Sequence, residues 1–451
     1  MTKKVSILGI GKSGIAAAKL AAKVGYDVFI SDIDKRKANV FISGNIKTEV
    51  GIHSKKILES DFIIKSPGIE KNIPILQEAI KRNIPVISEI EFSILIMNKQ
   101  FKHNKIIAIT GTNGKSTTTE LIYKIIKEHY KNTIIAGNFG FPLSKKVSKI
   151  TKDTIIVLEM SSYQLEDSPN FKPDIGILLN ITPDHIIHHK TMELYIKAKK
   201  NIFINQNNND FAIINYDSFI CKTIAKDINS KIFFFSRSKT INNGVYYDNG
   251  NILINIDSKC VILKPKINII GKHNIENILA AVLATYIIGI KIKIIEKVIS
   301  KYKGIQHRIE FVKNINGVSY YNDSKSTNIA STKTAIDAFN NNIILIMGGQ
   351  DKGISYITLR KIIKKKVKHV FLIGEATNKI KKDLKNLPIT NSGNLKNALR
   401  SIINIAIKGD IVLFSPACAS FDQFKNFEER GKLFKKIIND FYEKYCKKKN
   451  N

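Results

Sequence analysis

The sequence predicts an α/β protein of three domains, each built on a largely parallel sheet. Short β-branched runs alternate with helical stretches along the whole chain. Glycine-rich turns follow strands in "GIGKSG" and in "AITGTNGKSTTT". The chain has 451 residues, more than one hydrophobic core normally serves.

The first unit is expected over residues 1–95. "KKVSILGI" reads as a strand, "SGIAAAKLAAKVG" as a helix ending at Gly25, and "YDVFISD" as the next strand. "DFIIKSPGI" and "IPVISEI" continue the pattern. The second unit, 96–303, holds the strands "NKIIAITG", "TIIAGN", "DTIIVLEMSS" and "DIGILLNITPDH" and the helical "GKHNIENILAAVLATYIIG". The third, 304–451, starts near "HRIEFV" and carries "IILIMGGQ", "HVFLIGE" and "DIVLFSPA". The closing "KYCKKKNN" reads as a frayed tail. No internal repeat is visible.

Hydrophobic residues make up 43%, which excludes a disordered chain. Four scattered cysteines without a C-x-x-C pair argue against zinc fingers and disulfides and fit a reducing compartment. No run reaches the 18 or so apolar residues of a membrane span, and Lys12 and Lys19 break the apolar N-terminus. A cytoplasmic location is expected. The formal net charge is +34, yet no basic block or aromatic nucleic-acid motif accompanies it. The charge reads as lysine on solvated faces, with no nucleic-acid partner expected.

"IAITGTNGKSTTTE" places glycines between a strand and a helix, the arrangement that cradles phosphate. It fails the usual Gly-x-x-x-x-Gly-Lys-[Ser/Thr] spacing, because Ile109 stands where the first glycine belongs. Lys115 is suited to terminal phosphates and the Ser116 hydroxyl to Mg²⁺. Glu159 ends an apolar strand and is a candidate for the same ion. Asp184 and His185 end another strand; His188 and His189 read as loop residues. In "GIGKSG", Gly9, Gly11 and Gly14 with Asp32 match a dinucleotide fingerprint. Taken alone, that set fits a nicotinamide dehydrogenase, and the basic charge fits a nucleic-acid-stimulated ATPase. The dehydrogenase leaves Lys115, Glu159 and the third unit's "NDSKSTN", "MGGQDKG" and "SPACASFDQFKNFEERG" without a role.

These segments, in this order, resemble the Mur ligase family, whose ATP loop has its own spacing. "SPGI", "NDSKSTN" and "SPACASFDQFKNFEERG" resemble its D-glutamate-adding branch; sister ligases that add other residues are the nearest alternative. The resemblance implies a Rossmann-like N-terminal UDP-binding domain, a central P-loop-type ATPase domain and a Rossmann-like C-terminal domain. It implies an ATP-dependent ligase of peptidoglycan precursor synthesis that joins UDP-N-acetylmuramoyl-L-alanine and D-glutamate as a monomer. Ser13, Asp32, Ser66, Gly68 and Asn138 would contact the UDP substrate. Gly111, Thr112, Asn113, Gly114, Lys115, Ser116 and Thr117 would hold ATP phosphates, with Asn274, Asn277, Arg308 and Asp323 on the nucleoside side. Ser116, Glu159, His185 and a carbamylated Lys199 would hold two Mg²⁺ ions, with Lys115, His185 and Lys199 as the catalytic set. Lys325, Thr327, Lys352, Ser420 and Phe427 would surround D-glutamate. The family often has an acidic residue and Arg shortly after the metal His, where this chain has Ile187 and His188. Lys197 replaces a usual alanine and is expected to disfavour charge on Lys199.

Overall fold

Isoleucine and valine fill the strand interiors, as stiff β-branched side chains suit a pleated, two-sided core. The computed structural model describes residues 2–38, 40, 46–101, 104–351 and 353–450. Its described strands form three sheets.

The first sheet runs Ile46–Val50, Asp27–Asp32, Lys4–Leu8, Phe62–Lys65, Val86–Ser88, all parallel. Its order reverses at the strand that opens the chain, so the crevice beyond Leu8 is a topological switch point. Helix Lys12–Lys23 lies on it through Gly14, Ala17, Ala18 and Ala21. A Cβ on Gly14 would stand 1.9 Å from the Gly9 carbonyl oxygen, so glycine sets that close packing.

The second sheet has nine strands. Its parallel part places Ile106–Thr110 between Ile155–Glu159 and Ile175–Leu178. All three are buried at every position, which marks them as central strands. The other end is a meander, Gly244–Asp248, Asn251–Ile256 and Lys259–Leu263, paired antiparallel. The third sheet runs Glu310–Ile315, Val318–Asn322, Ile411–Phe414, Ile343–Gly348, Val367–Ile373, Ile389–Gly393. It is parallel apart from its first hairpin.

By contacts the chain falls into two compact units, residues 1–266 with 273–300, and 267–272 with 301–451. The first unit holds two sheets and the second holds one. The C-terminal segment expected to fray belongs to a helix, Phe427–Asn450. Its Phe434 and Ile438 bury against Phe414 and Leu399, and that anchoring carries the helix forward. Among the described residues no helix is long and apolar enough to cross a membrane.

Candidate active site

Strand Ile106–Thr110 ends in the loop of residues 111–114, and helix Lys115–Lys127 begins at once. Gly114 adopts φ +87° at the helix cap, and a Cβ there would lie 2.1 Å from Asn277 Oδ1. The N–H groups of the first helical turn and the positive end of its dipole therefore meet the loop. Lys115 Nζ donates to the carbonyls of Gly111 at 2.8 Å and Thr112 at 2.9 Å, which lays its ammonium over the loop. Ser116 and Thr117 continue the same turn. The Thr112 hydroxyl lies 3.0 Å from the Tyr195 hydroxyl and accepts the Thr182 N–H at 3.0 Å. Asn277, only 3% exposed, accepts from the Thr118 hydroxyl at 3.3 Å and donates to Asn274 Oδ1 at 3.0 Å. Of the two asparagines expected on the nucleoside side, Asn277 thus packs on Gly114 at the helix cap, and Asn274 accepts from it.

Glu159 ends the neighbouring strand and is 1% exposed. Its Oε1 accepts from Asn138 Nδ2 at 2.7 Å, while its buried Oε2 has no hydrogen-bond partner. An orphaned carboxylate oxygen beside a phosphate loop is what a hard cation would satisfy, so the donor set Glu159 and Ser116 fits Mg²⁺. Asn138, expected at the muramoyl group, is placed on Glu159: its side chain donates to the carboxylate and its backbone N–H to the Glu159 main-chain carbonyl at 2.9 Å.

Lys199 is 1% exposed. Its Nζ donates to the Gly111 carbonyl at 2.8 Å and lies 4.8 Å from the centre of the Tyr195 ring. Burial first, then the Lys115 charge, push its pKa well below the ordinary lysine value. The expectation that Lys197 supplies this effect is corrected here. Lys197 is exposed on helix Met192–Lys200, and two helical residues apart the side chains diverge. His185 has φ +54°, and its ring packs edge-on to Tyr163 at 5.1 Å. Burial lowers its pKa, and the Lys115 and Lys199 charges add to this against the opposing pull of Asp184. A neutral imidazole is the metal-binding form.

The N-terminal glycine turn gathers its expected residues. Asp32 Oδ2 accepts the Ile10 N–H at 2.7 Å, and the Ser66 hydroxyl points to the Gly9 carbonyl at 3.4 Å. Gly11 caps helix Lys12–Lys23, which places Ser13 in its first turn, and Gly68 has open space around its Cα.

In the C-terminal unit Asp323 is fully buried, with Oδ1 accepting from the Ile309 N–H and Oδ2 from the Ser415 hydroxyl. Burial raises its pKa, opposed by Arg308 and these hydrogen bonds. Lys325 and Thr327 lie on the same loop, where the Lys325 N–H donates to the His307 carbonyl. Ser420 is buried and its carbonyl accepts from Phe424; the Phe427 carbonyl accepts from the Ser324 hydroxyl. Lys352 lies outside the described residues.

Three segments match known domain families: the MurD-like Mur ligase N-terminal domain over residues 3–88, the Mur ligase middle domain over 109–285, and the Mur ligase glutamate ligase domain over 307–418. A UDP-N-acetylmuramoylalanine–D-glutamate ligase of Elusimicrobium minutum is 44% identical, covering 96% of this chain and 97% of its own. One of the same name from Clostridioides difficile is 38% identical over 97% of this chain and 98% of its own. The chain belongs to the Mur ligase family. Among solved structures, the UDP-N-acetylmuramate–alanine ligase of Thermotoga maritima aligns with a TM-score of 0.60 at 17% identity, over 97% of this chain and 99% of that one. A pseudomurein peptide ligase of Methanothermus fervidus aligns at 0.56 and 20% identity, over 98% of this chain and 100% of that one. Those two establish the fold.

Sequence reasoning missed Asn180 in this Mur ligase, and it missed the contacts of Arg430, His188 and His189. Asn180 holds the phosphate loop from outside: its carbonyl accepts from Thr112 N–H at 2.9 Å and its side chain pairs with Asn113. Arg430, 1% exposed, ties Ser324 to the carbonyls of Cys418 and Ala419 and so joins two glutamate-domain loops. His188 and His189, read as loop residues, lie on helix Ile186–His189 beside Glu166. Only their unusual adjacency in "IIHHK" signalled them.

Proposed function

We propose that this chain forms the amide between the L-alanine carboxylate of UDP-N-acetylmuramoyl-L-alanine and the amine of D-glutamate, converting ATP to ADP and phosphate. The full-length identity of 44% to a ligase of that name carries the reading. The charged groups gathered at residues 111–116, 159, 185 and 199 support it. The proposal includes the domain division 1–95, 96–303 and 304–451, a cytoplasmic location and a monomer.

Mur ligases are ATP-dependent, and the chemistry requires it. A carboxylate is a poor acceptor for an amine because oxide would have to leave. Phosphorylation gives an acyl phosphate, the amine adds to its carbonyl, and the tetrahedral oxyanion expels phosphate. The carboxylate and the γ-phosphate repel on approach by about 4 kcal/mol at 4 Å and an effective dielectric near 20. The Lys115 ammonium at the loop offsets that repulsion. Ser116 and Glu159 would hold one Mg²⁺, and His185 with Lys199 a second. Magnesium, when bound, would supply charge neutralisation at the transferring phosphoryl group.

Lys199 would contribute as a carbamate. Burial and the Lys115 charge lower the pKa of the Lys199 amine, which favours the neutral form whose lone pair adds to CO₂ with release of a proton. The product is an anion, which the Lys115 charge favours and which offers oxygen to a hard metal. Asn138 orients Glu159 so that one carboxylate oxygen is left for a cation.

The reading is tested with ATP, UDP-N-acetylmuramoyl-L-alanine and a panel of amino acids, following phosphate release and product mass. D-Glutamate alone should give product. Lys115→Ala and Glu159→Ala should abolish it. Unchanged ADP release by either variant in the presence of the UDP substrate would refute the assigned roles. ¹³C-labelled bicarbonate should give a carbamate signal in the wild type and none in Lys199→Ala.

A further inference from the structure

We propose that Glu166, His188 and His189 form a binding site for one divalent transition-metal ion, distinct from the magnesium positions at residues 116, 159, 185 and 199. The three side chains close on one point from two short helices, Ser162–Glu166 and Ile186–His189. Their ligand atoms all lie within 4.8 Å of one another. His188 Nε2 is 3.0 Å from Glu166 Oε2. Metal–ligand bonds of about 2.1 Å at tetrahedral angles put neighbouring donors about 3.4 Å apart, a few tenths of an ångström from that separation. His189 is 3% exposed, and its Nε2 lies 2.9 Å from the Ser162 hydroxyl. A turn of that ring toward His188 completes a two-histidine, one-carboxylate set.

The surroundings leave coordination positions open. A cavity of about 410 Å³ borders all three residues, with Lys71, Lys190, Lys197, Glu70 and Asn201 also on its wall. It has room for the waters that would fill the remaining coordination. Lys71 sits 3.4 Å from Glu166 Oε1, but its charge is also met by Asp167 at 2.9 Å. That leaves Oε2, on the histidine side, for the metal.

The donor set decides the class of ion. Two imidazoles and one carboxylate favour zinc, cobalt, nickel or copper over magnesium and calcium, which take oxygen shells. The Tyr163 ring packs on His185, His188 and His189 at 5.1, 4.3 and 5.5 Å, so an ion here adjoins the reaction centre through one aromatic ring.

The test titrates the full chain with zinc, and with cobalt as a spectroscopic probe, in a large excess of magnesium. The expected result is one zinc per chain, visible cobalt d–d bands, and a zinc-dependent rise in Tm. His188→Arg and Glu166→Gln should each weaken zinc by about tenfold or more, while His185→Ala leaves it unchanged. Two variants on different helices guard against misfolding of one, and unfolding without metal reports the fold of each. Absence of bound zinc would overturn the proposal. So would zinc that magnesium displaces and that His185→Ala removes but His188→Arg does not, since that ion would occupy the reaction centre.

Discussion

Asn180 grips Asn113 on both sides of its peptide group: Oδ1 accepts the Asn113 N–H at 2.8 Å and Nδ2 donates to the Asn113 carbonyl at 3.0 Å. This pairing fixes the exposed crown of the phosphate loop to the end of strand Ile175–Leu178, two residues upstream. Asn180→Ala removes both bonds and frees the loop where phosphate must be positioned. A misplacement of about 1 Å at a reacting centre costs about a hundredfold in rate. The expected outcome is a fall of that order in kcat/KM for ATP with unfolding unchanged to within about 1 kcal/mol. Wild-type kinetics in Asn180→Ala would remove the residue from the loop's support.

Gly114 faces Asn277 at a distance no side chain tolerates. Gly114→Ala meets two separate penalties. The left-handed backbone costs an alanine about 1–2 kcal/mol, and its Cβ would stand 2.1 Å from Asn277 Oδ1. ATP affinity should fall sharply. Asn277→Ala removes the colliding amide, at the cost of its bonds to Thr118 and Asn274, without placing glycine inside helix Lys272–Ile287. Against Asn277→Ala alone, adding Gly114→Ala should then cost only the backbone strain; no added cost would show that φ +87° is not strained here, and the full cost of Gly114→Ala would show that the collision is not the cause.

The parallel cores were legible because buried central strands are written as unbroken apolar runs, as in "IIAIT" and "IIVLE". The edges were not. The meander of Gly244–Asp248, Asn251–Ile256 and Lys259–Leu263 is half exposed and polar at many positions, so its pattern is weak. Strand Ile46–Val50, in "IKTEV", is an edge strand for the same reason. At the site, motif singled out Lys115 and Glu159 and resemblance singled out Lys199; the structure brings both lysines onto the Gly111 carbonyl. Asn180 was not legible, because an asparagine two residues past a strand is indistinguishable from any turn residue until Asn113 is placed beside it. Arg430 was quoted within a motif, yet its role rests on four contacts to residues far away in sequence or in adjoining loops.

Lys65 and Asp167 form an ion pair at 2.8 Å with side chains 0% and 3% exposed. Lys65 closes a strand of the first sheet, and Asp167 follows helix Ser162–Glu166 of the central domain. The Asp167 carbonyl also accepts the Ser88 N–H at 2.6 Å, so the aspartate pins two strand ends at once. Removing one partner of a buried pair strands the other charge, at about 3–5 kcal/mol. Lys71 remains 2.9 Å from Asp167, which sets Lys65→Met at the lower end, about 3 kcal/mol. The midpoint of urea unfolding checks it. A loss below about 0.5 kcal/mol would mean that Lys71 alone neutralises Asp167.

Glu89 opens helix Glu89–Gln100 and is 3% exposed, with Oε1 accepting from the Ser144 N–H and the Ser93 hydroxyl and Oε2 lacking a partner. Burial raises its pKa above the ordinary 4.5, against those hydrogen bonds. Between 4.5 and the raised value the native chain holds a proton that the unfolded chain has lost. Stability from this group is therefore present in acid and declines as pH rises through that window, by at most about 1.4 kcal/mol per pH unit. Glu89→Gln carries no titrating proton, keeps an oxygen for Ser144 and has an amide where the orphaned oxygen stood. Its stability relative to the wild type should climb with pH above 4.5 and level off once native Glu89 has ionised. Urea unfolding of both proteins across acid to neutral pH measures that difference. A difference independent of pH would show that native Glu89 ionises as it does in the unfolded chain.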